Sequence, residues 1–360
     1  MIDFDPGEEL AVIRETALAF ANDHLRPRDR EFEKARAVAA EVREAFDAIG
    51  LGAIEVPESQ GGAGLGALAR VLVLEELAAA DAGAALALDT LGPALYPLLE
   101  LAGEDALETL ARPLLERVGA RCVLAWDGAG RLRRKHGRVS GEIAWVPADR
   151  VDLLVILGPT GAVCVSEGIA LSELRGGGLR AAGASALRLE NAPVRAAWEG
   201  AADARRALAR ARLYAGALLV GVMRGAADSS REYALNRVAF GRPIAHHQAV
   251  AFLIADMAAA VESARLLAWE AAWRIDRGDA GAEACATAFL EAAEQAMFVT
   301  PNAVQILGGH GFMQDYAVEK YMREARTLGL LFGGVDAARE EAGRELAAAP
   351  GPVSLAGGVA

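Results

Sequence analysis

Apolar residues change their spacing twice along this chain, and this change constrains the possible fold more than any other feature. Up to about residue 118 they follow a helical period, with positions such as Leu10, Ile13 and Leu18 on one face, which is typical of amphipathic helices. From 119 to about 200 the apolar residues occur in short segments such as RCVLAW, VDLLVILG and GAVCVSE, separated by Gly, Pro and Asp. Such segments are typical of strands.

Helical spacing returns from about 201 to 345, in longer elements. One of them carries a single apolar stripe, which consists of Val250, Leu253, Ile254, Met257, Val261 and Ala264. We therefore predict a mostly helical α+β protein with an N-terminal helical domain (1–118), a middle antiparallel β-barrel domain (119–200) and a C-terminal four-helix bundle (201–345). The last segment, 346–360, is predicted to be a flexible tail.

The composition excludes several classes of partner. The chain has 360 residues, 53% of them hydrophobic, with a net charge of -12 and a pI near 5.1. An acidic protein of this kind is not expected to bind nucleic acid or an anionic membrane surface as its main partner. An anionic small molecule is not excluded, because local basic clusters decide such sites.

The sequence also bears on compartment. Cys122, Cys164 and Cys285 are widely spaced and odd in number, so neither a disulfide framework nor a metal site is expected. The N-terminus, MIDFDPGEELAVI, is acidic and lacks the basic start of a signal peptide. The longest clean apolar run, 213–223, is too short to cross a membrane and is predicted to be a buried helix. We therefore expect a cytoplasmic protein.

The most informative motif is QILGGHGFMQDYAVEKYMREAR, which begins at Gln305. A helix is predicted to end at Gly308 and Gly309, to turn through His310-Gly311, and to restart as an amphipathic helix. Glycines permit positive φ and the close approach of a ligand to backbone amides. A plain helix C-cap at Gly308 would account for only one of these glycines, and we assign His310 no chemical role.

A second motif, NRVAFGRPIAHHQAV, runs from residue 236 to residue 250. Together the two motifs resemble segments of the acyl-CoA dehydrogenase family, whose order of helices, β domain and helical bundle matches the predicted order over nearly the whole chain.

The resemblance implies FAD as cofactor and an acyl-CoA thioester as substrate. It implies that Arg237 pairs with the FAD pyrophosphate, Phe240 packs against the adenosine end, and Gln248 bonds the phosphate region. Such a fork of donors matches phosphate oxygens. A surface arginine and a polar helix residue remain the alternative.

In the family, the glutamine that corresponds to Gln305 and the following Gly-Gly turn contact the ADP half of FAD across a subunit interface. The resemblance therefore assigns Gln305, Gly308 and Gly309 to the flavin of a neighbouring subunit.

The catalytic base of the family is missing from the expected place. In the family a glutamate followed by Gly-Thr comes shortly after the second motif, and here that stretch reads LLFGGVDAAR. An ungapped comparison puts Phe332 at the glutamate position, and a slip by one residue puts Gly333 there. Neither residue can accept a proton, so no catalytic residue is predicted in this chain.

No other carboxylate is expected to replace the base. Family members that carry the glutamate on an earlier helix place it directly before an arginine, where this chain has Ala211 before Arg212. Asp336 lies about a helical turn beyond the base position and is predicted to face solvent near a helix start, where it suits the helix dipole. Asp315 and Glu319 occupy positions where the family has structural polar residues.

Segments that hold a subunit's own flavin ring also depart from the family pattern. The family sequence Thr-Glu-Pro-Gly-Ala-Gly-Ser-Asp is reduced here to WDGAGRL, and the family's Trp-Ile-Thr becomes Trp145-Val146-Pro147, without the hydroxyl. Trp145 either flanks a flavin ring or is a core tryptophan.

The resemblance suggests a subunit that completes the FAD site of a partner, as in heteromeric members of the family that degrade steroid side chains. The expected assembly is a heterotetramer with a second, base-bearing family member, and a homo-oligomer is the alternative. Two other functions remain open. One is a scaffold or CoA-ester-binding subunit without flavin, and the other is a flavin oxidase or oxygenase whose chemistry needs no carboxylate.

Overall fold

The computed structural model of the chain describes residues 6–279 and 281–348. Seven helices precede the first strand. They are α1 (Glu8–Phe20), α2 (Asp29–Ala35), α3 (Ala40–Ala48), α4 (Ala67–Leu88), α5 (Leu95–Pro97), α6 (Glu104–Ala106) and α7 (Arg112–Leu115). Helix α4 is buried over almost its whole length, as expected for a helix that is apolar on most of its circumference, and α1 and α2 pack against it.

The middle of the chain forms two four-stranded sheets. Their strands are β1 (Cys122–Trp126), β2 (Arg133–Lys135), β3 (Arg138–Val146), β4 (Leu153–Gly158), β5 (Gly161–Val165), β6 (Ile169–Glu173), β7 (Ser185–Pro193) and β8 (Ala196–Glu199). The strand orders are β1-β4-β5-β8 and β2-β3-β7-β6. Every residue of β4 and of β5 is buried, because the first sheet packs on the second sheet with one face and on the helices with the other. Burial on both faces explains the continuous apolar run VDLLVILG.

The prediction of an antiparallel β domain holds for every described pair of this domain but one. Strands β1 and β4 are parallel, with Cys122 opposite Leu153 and Trp126 opposite Leu157. The chain leaves β1 for the β2–β3 hairpin of the other sheet, so it returns to β4 in the direction in which it left. The sheet is therefore mixed, and a crossover of this kind cannot be read from the alternation of residues.

Long helices return after β8. They are α8 (Ala201–Asn236), α9 (Gln248–Asp276), α10 (Ala282–Leu307), α11 (Val318–Leu328) and α12 (Gly334–Ala348), and the short strands β9 (Val238–Ala239) and β10 (Arg242–Pro243) join α8 to α9. The run 213–223 is buried within α8, and Met257, Val261 and Ala264 of the predicted α9 stripe are buried. The predicted order of helices, β domain and helices is thus confirmed. Residues 346–348 of the predicted tail are helical, and 349–360 lie outside the described residues.

No helix in the described ranges combines the length and the apolar character that a bilayer span requires.

Helix α11 is tied to the N-terminal helices by buried charges. The Nζ atom of Lys320 lies 2.7 Å from Asp81 Oδ2, 3.6 Å from Asp29 Oδ2 and 4.0 Å from Glu324 Oε1. Helix α4 is interrupted at Asp81, whose backbone is extended and whose Oδ1 accepts a hydrogen bond from Ala84 N–H at 2.9 Å. Burial raises the pKa of Glu324 to about 8, so this carboxyl keeps its proton at neutral pH.

Replacing Glu324 should change how stability depends on pH. Because the folded pKa of about 8 lies above the ordinary value of 4.5, the stability that this group contributes is complete at low pH and is lost as the pH rises through 8. Glu324→Gln mimics the protonated acid. Its melting temperature should therefore match that of the wild type at acidic pH and exceed it increasingly towards pH 8. Thermal unfolding at several pH values measures this difference.

Glu294→Gln is the matched control, because Glu294 is half-exposed and pairs with Arg339 at the surface. Its pH profile should follow that of the wild type. If Glu324→Gln followed the same profile, the buried carboxyl would be ionised in the folded protein and the interpretation would be wrong.

Candidate functional site

A cleft of about 750 Å³ lies where the β domain meets the first turns of α8 and the start of α12. We call it the main cleft. Its lining residues lie within 125–132, 142–145, 204–212 and 333–344, together with Pro159. The cleft is therefore built from three parts of the chain that are distant in sequence, which is typical of ligand sites in proteins of this size.

The predicted base position lies at the wall of the main cleft. Gly333 lines the cleft, and Phe332 lines a separate inner cavity of about 30 Å³. The Phe332 side chain is buried, and its backbone has left-handed torsions (φ 53°, ψ 41°). A non-glycine residue in this region is strained unless its surroundings hold it.

Arg212 supplies that support. This residue of α8 is 1% exposed, and its Nε and Nη2 atoms donate to the Phe332 carbonyl at 3.3 and 3.2 Å. Its Nη1 atom pairs with the Glu341 carboxylate of α12. Burial lowers the pKa of Arg212 and Glu341 opposes this effect, but a guanidinium stays protonated in proteins. The residue before it, Ala211, is fully buried and offers no carboxylate.

Four carboxylates of the described residues line the main cleft, and none of them was predicted from the sequence to belong to a site. They are Asp127, Glu142, Glu340 and Glu341. Glu341 is held by Arg212 and Glu340 pairs with Arg344. Both glutamates face the cleft because they follow Gly333 and Ala337 at helical spacing, on the same side of the chain. This spacing is the sequence signal from which they could have been predicted.

Asp127 is committed to a turn. Its two oxygens accept the Arg131 and Leu132 N–H groups at 2.7 and 3.2 Å. Glu142 lies across the cleft on β3. None of the four carboxylates is adjacent in sequence to the base position.

The three carboxylates weighed from the sequence lie elsewhere. The Asp336 side chain is fully exposed in the first turn of α12, as predicted. Glu319 pairs with Arg30 and Arg323, and Asp315 is exposed.

Trp126, which the sequence analysis did not consider, lies beside the base position. A Cβ atom placed on Gly128 would lie 2.5 Å from the indole Nε1, and one placed on Gly333 would lie 3.2 Å from the same atom. The indole edge therefore lies between the turn after β1 and the loop that contains Phe332 and Gly333, which we call the base-position loop. Trp145 is half-buried and lines the same cleft. Two tryptophans thus line the cleft where the sequence analysis expected one.

The inner cavity offers no base of its own. Among the groups that line it are Phe332, Gly92, Arg121, Cys122 and Tyr214. Burial raises the pKa of the Cys122 thiol and of the Tyr214 phenol well above their ordinary values, so both stay protonated at neutral pH. By volume the cavity holds only two or three water molecules, since each needs about 10–15 Å³ of such space.

The residues assigned to a neighbour's flavin lie at the surface. Arg237 follows the end of α8 and is exposed, and its guanidinium has no hydrogen-bond or ion-pair partner in the described part of the chain. Phe240 is 95% exposed with φ 55°. Gln248 is exposed in the first turn of α9, and Gln305 is exposed on α10.

An aromatic cluster connects the two motifs in space. The Tyr233 hydroxyl is hydrogen-bonded to His310 Nδ1 at 2.9 Å, and the His310 ring stacks on Tyr316 at 5.5 Å. Tyr233 lies one helical turn before Arg237, whose N–H donates to the Tyr233 carbonyl at 2.8 Å. His310 is thus a structural residue that brings the Gly-Gly turn close to the end of α8.

The three glycines of the turn differ in the space around them. Gly308 ends α10 with φ 59°, and a Cβ atom on Gly308 or Gly309 would meet nothing within 4 Å. A Cβ atom on Gly311 would lie 2.4 Å from the Val304 carbonyl oxygen. Gly311 is therefore required for its close approach to helix α10 of the same chain, whereas the contact of this turn with a ligand stays a prediction.

Alanine at Gly333 should destabilise the fold. Gly333 has φ 90°, and its Cβ would lie 2.9 Å from the Ala337 Cβ, so Gly333→Ala should cost about 1–3 kcal/mol in free energy of unfolding. Gly343→Ala is the control within α12, because its Cβ would meet nothing within 4 Å; it should be neutral or stabilising by up to about 1 kcal/mol. Urea unfolding measures both, and equal stability of the two variants would contradict the assigned strain.

Comparison with known proteins places this site in a family. The model of the acyl-CoA dehydrogenase N-terminal domain matches residues 7–116, and that of the C-terminal domain matches residues 199–347. Cyclohex-1-ene-1-carbonyl-CoA dehydrogenase of Geobacter metallireducens is 30% identical over an alignment of 360 positions, which spans 91% of this chain and 94% of that protein.

Solved structures agree with this assignment. Butyryl-CoA dehydrogenase from Megasphaera elsdenii has the same fold, with a TM-score of 0.85 at 24% identity over 96% of this chain and all of that one. A variant of the Tcur3481–Tcur3483 steroid ACAD has a TM-score of 0.84 at 26% identity, over 95% of this chain and 98% of that one. The chain belongs to the acyl-CoA dehydrogenase family of FAD-dependent oxidoreductases.

Proposed function

We propose that this chain is an acyl-CoA dehydrogenase subunit without a catalytic base of its own, which completes the FAD site of a base-bearing partner. The reaction of the assembly would be the α,β-dehydrogenation of an acyl-CoA thioester. The observation that supports the proposal most is the composition of the base-position loop. Phe332 and Gly333 in this loop cannot accept a proton, and the nearby Glu341 is ion-paired with Arg212.

The chemistry explains why this substitution matters. Dehydrogenation removes a weakly acidic α-proton while the β-hydrogen leaves as hydride to the flavin. Loss of a general base costs about a hundred- to ten-thousand-fold in rate. Phe332 cannot accept the proton, and a glutamate at Gly333 would be strained and would meet Ala337 and Trp126.

The outward surface around Arg237 and the main cleft differ in how well they suit FAD. On the outward surface, the unpaired Arg237 guanidinium and the open space around Gly308 and Gly309 suit a pyrophosphate. Phe240 offers an exposed ring on which an adenine can pack. Bound FAD would supply the hydride acceptor, and these residues would hold its ADP half.

The main cleft fits an isoalloxazine ring poorly. The Trp126 indole covers the Gly128 turn, and Val146, Pro147 and Ala148 provide no hydroxyl where the family has one. A subunit with these features is better suited to help a neighbour's flavin site than to form one itself.

A second family member is the partner that this division of roles requires. One solved relative has a two-part designation, Tcur3481–Tcur3483 steroid ACAD, which is consistent with a heteromeric assembly and with a steroid-derived acyl group. We therefore favour a heterotetramer over a homo-oligomer.

The retained main cleft supports a second candidate function. A volume of about 750 Å³, with Arg131, Arg205 and Arg344 among its lining residues, is large enough for part of a CoA ester. Under this alternative the chain binds the ester or acts as a scaffold, without flavin. Flavin content separates the two candidates.

Arg237→Ala should remove FAD from the complex with the partner. Loss of a hydrogen bond to a charged group costs about 1.5–3 kcal/mol, or roughly ten- to a hundredfold in affinity. The chain should remain folded, because Arg237 is exposed and makes no contact that the core needs. Flavin absorbance per complex after co-purification is the measurement.

Arg231→Ala is the matched control, because this exposed arginine lies on α8, six residues before Arg237, and its one ion pair among the described residues is with Asp228, at 3.8 Å. It should leave the flavin content unchanged. Unchanged flavin in the Arg237→Ala complex would contradict the proposed role and favour the scaffold function.

The chain purified alone should show no appreciable acyl-CoA dehydrogenase turnover. Phe332→Glu alone should not restore it, because the new carboxyl would be buried and Trp126 would still cover the Gly128 turn. Dye reduction with a panel of acyl-CoA thioesters measures turnover. Clear activity of the pure wild-type chain would reveal a base that these residues do not show, and would refute the base-lacking assignment.

A further inference from the structure

A strongly basic hairpin projects from this acidic chain. Strands β2 and β3 and their turn contain the sequence RLRRKHGR, from residue 131 to residue 138. All of these residues except Leu132 are exposed. We call Arg131, Arg133, Arg134, Lys135, His136 and Arg138 the basic hairpin. This concentration of positive charge stands against a net charge of -12 for the whole chain.

The charges of the hairpin are not neutralised within the described residues. Neither Arg131, Arg133, Arg134 nor Lys135 forms an ion pair there, and Arg138 donates only to the Asn191 carbonyl, at 2.7 Å. Many other arginines of this chain pair with carboxylates, including those at the surface of α7 and α11. The hairpin is therefore available to an anionic partner.

The backbone of the hairpin is available as well. Within the described ranges, strand β2 is at the edge of its sheet and pairs with β3 alone, with Arg133 opposite Ser140 and Lys135 opposite Arg138. An edge strand presents N–H and C=O groups that another extended segment can pair with. Three residues span about 10 Å, which matches three or four residues of a partner.

We propose that the basic hairpin is a docking strand for an acidic, extended segment of a partner protein. The segment would add to the edge of β2, and its carboxylates would meet Arg133 and Lys135 on one face of the strand and Arg134 on the other. Opposite charges would accelerate the encounter and make it dependent on salt. Since Arg131 also lines the main cleft, the bound segment would lie beside the cleft.

A peptide explains these features better than nucleic acid or a membrane. Only a polypeptide can use the free edge of β2, and a long polyanion would be repelled by the remaining acidic surface of the chain. The proposal does not depend on FAD or on the proposed function, since neither Arg237 nor the Gly-Gly turn takes part.

Binding of a fluorescent peptide with alternating Glu and Val residues tests the proposal. The intact wild-type chain should bind it at low salt, and affinity should fall as salt is added. Arg133→Glu/Lys135→Glu should weaken binding by at least about tenfold, because each exposed ion pair contributes up to about fivefold in affinity. The control Arg231→Glu/Arg277→Glu changes the net charge equally on the helical bundle and should bind as the wild type does.

A second peptide tests the strand pairing. The same sequence with alternate backbone amides methylated keeps its charge but loses its donors, and it should bind at least about tenfold more weakly than the unmodified peptide. Equal binding of the two peptides, equal binding by the two double variants, or no binding at low salt would overturn the proposal. Tighter binding of a single-stranded oligonucleotide or of anionic phospholipid vesicles than of the peptide would also overturn it.

Discussion

The contact between the Arg212 guanidinium and the Phe332 carbonyl determines the shape of the site. A buried guanidinium must have its donors satisfied, and here it bonds the base-position loop and the Glu341 carboxylate at once. The contact joins α8 to α12 and holds a left-handed Phe332. It keeps Gly333 at the wall of the main cleft and Phe332 against the inner cavity. The loop at the predicted base position is therefore held in place by residues of α8 and α12.

Two surfaces of the chain show opposite features. At the main cleft, the Trp126 indole lies against the Gly128 turn, and Phe332, at the predicted base position, lines an inner cavity of about 30 Å³. On the outer surface, the Phe240 side chain is 95% exposed, the Arg237 guanidinium has no partner among the described residues, and the Gly-Gly turn has open space around it. Exposed aromatic rings next to unpaired cations are typical of surfaces that meet another molecule. A subunit that serves a partner's cofactor would have this distribution.

The fold could be predicted from the sequence where the spacing of apolar residues indicates a helix or a strand. Residues 213–223 lie in a buried helix as predicted, and Met257, Val261 and Ala264 of the α9 stripe are buried, because burial imposes a helical period on apolar positions. The parallel pairing of β1 with β4 could not be predicted, since it depends on where the chain crosses between sheets. Nor could the buried Glu324, since the sequence does not show that Asp29 and Asp81 lie beside it.

The sequence motifs predict some residues of the candidate site, and others come into it only through tertiary proximity. Arg237, Gln305 and the Gly-Gly turn belong to motifs with fixed spacing, and the bond between Tyr233 and His310 brings their segments together. The position of Trp126 against Gly333, and that of Arg212 beneath Phe332, join residues more than 100 positions apart. Glu341 had a helical-spacing signal, but only the structure shows which face of α12 meets the cleft.

The stoichiometry of flavin in the assembled complex tests the central claim most directly. When this chain is co-purified with a base-bearing family member, bound FAD can be counted by absorbance against the amount of each chain. If this chain completes the FAD site of its partner, the complex should contain one flavin for each pair of unlike chains, and the chain alone should contain next to none. One flavin per chain in the complex, or full flavin loading of the pure chain, would contradict it.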